Sequence, residues 1–597
     1  MSQTTTTGES LQRSRLVSRP HVFSETPDTP IRTTAFSAEI VDPAIARRQS
    51  QVLWGLISLG VAMRLARYLP SWPLWGDEAF VAANFLDRGY FDLLRPLEYH
   101  QVCPLLFLWI ELTAVKLFGF SEHALRLFPF IAGVASLFLF QRMASRILRG
   151  VPLMFAVGIF AVSYYPVRHS CEVKPYASDL FASVLLLTLA VEWLSKPKSS
   201  AMLWCLALAT PFAIALSHPA VFVVGGVALA LLPVALRQPN RWNWLAYATF
   251  GLALVGTFLL TFAIFTSRQY AVEHGAGGMG SYWANAFPPI TRPLALLGWL
   301  LDTHTGVTMA HPVGGKNGAS TLTLICLVVA AGVLIRQRRF ALLGIFAAPM
   351  LLAFVAAALH KYPYGGSARV MQYAAPAICL LMGLGGATMI AWGRPLWYRR
   401  IWVATSVVAM AGIGGATLLM DVLQPYKTIW DCDTQGFVRW FWNDLAHDAE
   451  LVCVRTDLGK DFFPQQWEWG RSAVYLCNQR IYSPRHHSGQ PPRWDQVSAT
   501  HPLRCVVYSV HNCPRDDAKI AEWLGEMQSK WTLTGHQQYR VAPEVPTFDD
   551  VFDVYEFVPQ EVRTANVELR PVGAEARQSR REHFAGPTGR NRDTKGP

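Results

Sequence analysis

"SWPLWGDEAFVAANF", residues 71–85, sets two adjacent acids, Asp77 and Glu78, directly after an apolar run at about 51–69. That run has the length of a membrane span, since a helix needs roughly 20 apolar residues to cross a hydrocarbon core of about 30 Å. Carboxylates are expensive at such a boundary, so a pair of them there implies water, a helix N-terminus to cap, or a task. Taken alone, the pair fits a solvated or capping role as well as a functional one. What surrounds it separates the two.

The chain of 597 residues is 52% hydrophobic and only 16% charged, where soluble domains carry about 25% charge. Most of the deficit falls between about residues 50 and 420, in repeated runs of membrane-spanning length. The net charge of +12 does not point to nucleic acid, because the basic residues mostly sit in short clusters between those runs. Such clusters are topology signals before they are binding patches. They are Arg47/Arg48, Arg142/Arg146/Arg149, Lys196/Lys198, Arg237/Arg241, Arg336/Arg338/Arg339 and Arg394/Arg399/Arg400. If all are cytoplasmic, an even number of spans must separate each consecutive pair. Segments at about 51–69, 123–147, 151–167, 177–194, 201–217, 219–236, 243–265, 320–335, 340–359, 371–392 and 401–420 satisfy this.

The expected architecture is therefore a polytopic α-helical membrane protein of the plasma or inner membrane, with about 11 transmembrane helices. Residues 1–50 form a cytoplasmic tail expected to be disordered, without the apolar core of a cleaved signal peptide, so the first span serves as its own signal. Residues 51–420 form the membrane domain, with external loops at 70–122, 165–176, 266–319 and 360–370. In the first loop, "CPLLFLWIELTAVKLFG" (103–119) has Leu105, Leu108, Trp109 and Leu112 at helical spacing but is interrupted by Glu111 and Lys116. It reads as an interfacial helix on the outer face. Arg64 and Arg67, on the outer turn of the first span, read as snorkelling side chains.

Beyond 421 the composition turns soluble. "ELVCVRTD", "RSAVYLC", "RCVVYSV" and "FDVYEFV" read as strands. Ile520, Trp523, Leu524, Met527 and Trp531 mark one helix face, and Phe437, Trp440, Phe441 and Leu445 another. Residues 421–560 are expected to form an extracytoplasmic α/β domain, and 561–597 a disordered basic tail. Cys103, Cys171, Cys432, Cys453, Cys477, Cys505 and Cys513 then lie on the oxidising side, where disulfides are permitted but their pairing is not readable. No C-x-x-C occurs, and no other cluster argues for a metal site.

The acid pair, then "EYHQVCPLLFLW" (98–109), then "KLFGFSEHALRLFPFIAGVASLFLF" (116–140) closely resemble the start of the family 39 glycosyltransferases of GT-C fold. That family includes the protein O-mannosyltransferases and the aminoarabinose transferase of lipid A. "CEVKPYASDLFASVLLL" (171–187) resembles the family's E-x-R-P-Y-x-L element. The likeness covers about residues 51–200, and the remainder agrees only in topology.

The resemblance implies transfer of a sugar from a polyprenyl-phosphate donor to a glycan, lipid or protein acceptor at the outer face, without a cofactor or an essential metal. It implies Asp77 as general base with Glu78 orienting it or the acceptor. Cations are needed for the leaving phosphate, and Arg168, Lys174, Lys361 and Arg369 are the external candidates. Glu172 and Tyr176 come with the same element. Lys174 stands where the family has Arg, which keeps the charge and gives up a bidentate grip. Arg369 follows "YPYGG", whose glycines would let backbone N–H groups approach an anion. His100 is placed to touch the acceptor. Each cation fits headgroup contact equally well, and His100 fits a plain surface histidine.

Two other classes compete. A transporter or lipid flippase would show internal repeats and midplane ionisable residues, and neither is evident. A catalytically inactive membrane scaffold would keep the same topology. "GAGGMG" (275–280) lacks the preceding strand of a dinucleotide site. "DCD" (431–433) is too short a match, on the wrong side of the membrane, to indicate a nucleotide-sugar metal site.

Overall fold

A computed structural model describes residues 43–70, 72–74, 76–98, 101–238, 240–269, 283–315, 318–423, 449–455, 494–509, 517–540 and 551–560. Residues 1–42 and 561–597, "RSAVYLC", the helix expected around Phe437–Leu445, both decoy motifs, His100, Cys432, Cys477 and Cys513 lie outside these residues, whereas 43–50 of the tail expected to be disordered belong to the first helix.

The helices are α1 (Pro43–Tyr68), α2 (Gly76–Ala82), α3 (Asn84–Asp87), α4 (Leu105–Phe118), α5 (Glu122–Ile147), α6 (Gly150–Val162) and α7 (Tyr164–His169). There follow α8 (Tyr176–Ser195), α9 (Ala201–Leu216), α10 (Ala220–Leu236), α11 (Arg241–Thr261), α12 (Pro293–Thr305), α13 (Ala319–Arg336), α14 (Phe340–Ala358), α15 (Ala375–Ala391) and α16 (Leu396–Leu423). A 3-10 segment, Ala368–Ala374, leads into α15. The expected spans fall on these helices, except that the one at 151–167 is divided between α6 and α7. Among the described residues, 7 helical stretches are by length and composition long and apolar enough to cross a membrane, and α6, α9 and α10 are shorter apolar helices. The chain is a polytopic helical membrane protein with a small sheet domain at its C-terminal end.

The span expected at 151–167 breaks at Ser163, whose hydroxyl donates back to the Ile159 carbonyl at 2.7 Å. Pro166 then sits in the first turn of α7, where a missing N–H is tolerated. Close helix approach depends on small residues: a Cβ at Gly385 of α15 would collide with the Cys326 carbonyl of α13.

Arg64 and Arg67 do not snorkel, because the helix face carrying them lies against α6 and α16. Both are buried, at 0% and 2% exposure. Arg67 grips Asp421 near the end of α16 through Nε–Oδ2 at 2.6 Å and Nη2–Oδ1 at 3.0 Å. Arg64 Nη1 donates to the carbonyls of Gly60 (2.8 Å) and Ala161 (3.2 Å). The first and last helices of the bundle are thereby tied together.

The C-terminal sheet has strand order β1-β2-β4-β3, with β1 (Glu450–Arg455) parallel to β2 (Leu503–Ser509). β4 (Val551–Pro559) runs antiparallel to both β2 and β3 (Trp531–Arg540). Trp531 opens β3 rather than extending the helix, which is α17 (Asp517–Gln528). Side chains alternate faces along a strand, and the two faces have different partners. Cys505, Val507, Tyr555 and Phe557 pack with Ile520, Trp523 and Met527 of α17. Val506, Phe552 and Val554 join a cluster with Leu74, Phe80, Phe107, Leu108, Val173 and Leu216. The sheet therefore sits on the end of the bundle where the 70–104 and 170–175 segments gather.

α4 packs on α5 and α9. Its Glu111 is fully buried, and neither carboxylate oxygen has a hydrogen-bond partner among the described residues. Burial raises its pKa well above the ordinary value. Below the unfolded-state value of about 4.3 the group is protonated in both states and costs nothing. Above it the folded state is penalised. Glu111→Gln should therefore raise the melting temperature at pH 7–8 and leave it unchanged near pH 4. Thermal unfolding of the detergent-solubilised protein checks this, and an equal effect at both pH values would refute it.

Candidate active site

Ser121 caps α5 by accepting the Ala124 N–H at 3.2 Å, as a serine in that position should. One turn on, Arg126 is 1% exposed and reaches across to residues 72–78. Its Nε donates to Glu78 Oε1 at 2.9 Å and its Nη2 to Glu78 Oε2 at 2.7 Å, a bidentate fork. The same guanidinium donates to the carbonyls of Trp72 and of Pro73, the latter at 3.1 Å. Glu78, at 0% exposure, also accepts the Val173 N–H at 3.0 Å. One buried arginine thus fixes α2 in place, and Glu78 hands that anchorage on to the 170–175 segment.

Asp77 stands beside Glu78 in the first turn of α2. The segment bonded to Glu78 carries the other acids and cations of interest. Glu172 is buried, with Arg168 Nε at 3.0 Å from Oε1 and His169 Nδ1 at 2.7 Å from Oε2. Burial alone would raise its pKa, but His169 and Arg168 outweigh that and hold it well below the usual carboxylate range. Lys174, 7% exposed, donates from Nζ to Gln101 Oε1 at 2.5 Å and so fastens the stretch leading into α4. Tyr176 opens α8, its ring edge-on to His169 at 4.9 Å.

Direct bonds therefore bring together Glu78, the 172–174 segment and Arg168. The 3-10 segment bearing Arg369 packs against α7 and α8, and the Arg369 guanidinium lies over the Trp283 ring at 5.2 Å. Lys361 is exposed just past the end of α14. The glycines of "YPYGG" are also required by the packing around them. Gly365 and Gly366 have φ of +73° and +70°, and Cβ atoms there would run into Thr303 and Ala286 respectively. Tyr364 N–H donates to the Ala286 carbonyl at 3.0 Å, and its hydroxyl pairs with His304 Nε2 at 3.0 Å. The space beside them is occupied by Thr303 of α12 and by Ala286.

Sequence reasoning missed Arg126 and His169 as site residues. The signal for Arg126 lay inside the quoted "SEHALRL" junction, where the arginine went unassigned because its partner is 48 residues away. His169 carried none, being a single histidine in a polar loop. Among the described residues no three His, Cys, Asp or Glu gather to hold a metal ion.

No family model and no curated protein sequence matches the chain. Among solved structures it is similar to ArnT from Cupriavidus metallidurans in the apo state, with 12% identity, 84% of this chain and 98% of that chain covered, and a TM-score of 0.49. It is similar to the same protein bound to undecaprenyl phosphate, with 13% identity, the same coverages and a TM-score of 0.48. It is also similar to the apo oligosaccharyltransferase of Archaeoglobus fulgidus, with 11% identity, 84% and 74% covered and a TM-score of 0.46.

Gly365→Ala tests the loop packing. A left-handed φ together with the collision at Thr303 should lower stability by about 1–3 kcal/mol, read as a fall in melting temperature. An unchanged melting temperature would mean that this loop does not depend on the glycine.

Proposed function

We propose that this chain is a GT-C-type glycosyltransferase that moves a sugar from a polyprenyl-phosphate donor to an acceptor at the extracytoplasmic membrane face. The observation that carries this reading is the Arg126–Glu78–Val173 chain of bonds, which joins the acid pair to the segment bearing Arg168, Glu172 and Lys174. Acids for the acceptor and cations for a phosphate then stand at one end of the bundle. The N-terminus is cytoplasmic in this reading, and the sheet domain, packed on the same end, faces the acceptor side.

The roles divide. Both oxygens of Glu78 are engaged by Arg126, and one also by Val173, so Glu78 positions the turn and Asp77 is the general base. The acceptor's nucleophilic atom attacks the anomeric carbon while its proton passes to the Asp77 carboxylate. The bond from that carbon to the phosphate oxygen breaks, and polyprenyl phosphate leaves with the electron pair. Lys174 and Arg369 offset the charge that grows on the leaving oxygen. The charge of Arg168 is already matched by Glu172, which makes it an organiser of the segment first.

Transfer from radiolabelled polyprenyl-phosphate sugars, in membranes containing the wild type or Asp77→Asn at equal expression, tests the assignment. Loss of a positioned base should reduce the rate about 100-fold or more. Equal transfer by both proteins would make the acid pair structural and the assignment wrong.

A further inference from the structure

A second group of polar side chains, used nowhere above, lies one turn into α8. Asp179 follows Tyr176 by three residues, so the two share a helix face. Asp179 is 5% exposed and Ser217, in the α9–α10 turn, 0%. The Ser217 hydroxyl lies beside the Asp179 carboxylate, yet neither Asp179 Oδ1 nor Ser217 Oγ has a hydrogen-bond partner among the described residues. The next residue, His218, is bonded to the Cys103 backbone and keeps a buried Nε2 with no partner among the described residues. Tyr362 and Tyr373 stand close enough to Asp179 to feel its charge. Phe222, in the first turn of α10, has its ring 5.2 Å from that of Tyr362 and 6.2 Å from that of Tyr373.

Buried polar atoms left unpartnered are costly, since each forfeits its hydrogen bonds to water. They call for a ligand that supplies both donors and acceptors. An anion is disfavoured beside an uncompensated carboxylate, and a lipid chain would leave all three atoms unsatisfied. Hydroxyl groups both donate and accept, and aromatic walls with a few convergent polar groups make a typical small-molecule pocket. We propose that Asp179, Ser217 and His218, walled by Tyr362, Tyr373 and Phe222, form a subsite that binds the hydroxyl groups of a sugar ring. Resting on the transferase reading above, the sugar is the one carried by the lipid phosphate, and the subsite sets which sugar is accepted. Asp179 accepts from ring hydroxyls, Ser217 bridges, and His218 Nε2 completes the set.

The test measures binding of undecaprenyl phosphate, bare or carrying mannose, glucose, galactose or arabinose, to the full chain in nanodiscs. The wild type should bind at least one glycosylated lipid about tenfold or more tighter than the bare lipid. Asp179→Asn should remove about 10- to 100-fold of that gain and leave the bare lipid's affinity unchanged. Ser217→Ala should move the same way by less, and decides the matter if Asp179→Asn does not fold. A gain that survives in the variants, or no gain for any of the four sugars, overturns the subsite while the donor reading stands. If the wild type binds neither bare nor glycosylated lipid, the transferase reading fails and the subsite falls with it.

Discussion

The Arg126–Glu78 pair is the contact on which the rest of this end of the molecule depends. Burying two charges is expensive, and the attraction between them compensates only when geometry is good and the remaining donors and acceptors are filled. Here they are filled. The guanidinium serves Glu78 twice and the carbonyls of Trp72 and Pro73, while Glu78 has room for the Val173 N–H. Remove either charge and the other is stranded at full burial. Three segments far apart in sequence, at 72–78, 126 and 173, are thereby held in one arrangement, and with them Asp77, Glu172 and Lys174.

The same logic recurs deeper in the bundle. Arg67 and Asp421 form a second buried fork between the first and last helices, and Tyr164 lies against Arg67 at 5.4 Å. Tyr164 N–H in turn donates to the Pro312 carbonyl at 2.9 Å, so the break between α6 and α7 is linked both to the closing pair and to the loop before α13. Polar residues here serve less to line a path through the membrane than to tie helix ends together. The sheet domain follows the same plan with apolar means, using one strand face to cover the site's own hydrophobic floor.

Much of the architecture was legible because it follows from the bilayer. Runs of membrane length and alternating basic clusters leave few topologies open, and the expected spans fell on helices, with the one at 151–167 broken in two. Strands β1, β2 and β4 and helix α17 were visible in their periodicity, whereas β3, "WTLTGHQQYR", was not, because Gly535 and Gln537 interrupt its apolar face and the pairing is irregular between Leu533 and Gly535. The site was only half legible. Motif resemblance could pick out Asp77, Glu78, Glu172 and Lys174 as residue types in order. It could not say that Glu78 belongs to Arg126, that Glu172 neutralises Arg168, or that the "YPYGG" glycines make room for Thr303 and Ala286. The first and last of these are set by contacts across dozens of residues, and the Glu172–Arg168 pair, four residues apart, depends on how its segment turns. The same limit explains Arg64 and Arg67, which look like snorkelling residues until the Ala161 carbonyl is placed beside Arg64 and Asp421, 354 positions on, beside Arg67.

A double-mutant cycle on Glu78→Gln and Arg126→Met, read as unfolding free energy of the full chain under one set of conditions, reaches the centre of this account. Each single variant leaves a buried charge unmatched and should lose about 3–5 kcal/mol. The double variant, lacking both charges, should lose much less than the sum, with a coupling of at least about 2 kcal/mol. Losses that add to within about 0.5 kcal/mol would show that the two residues act independently, and the clamp that organises the proposed site would not exist.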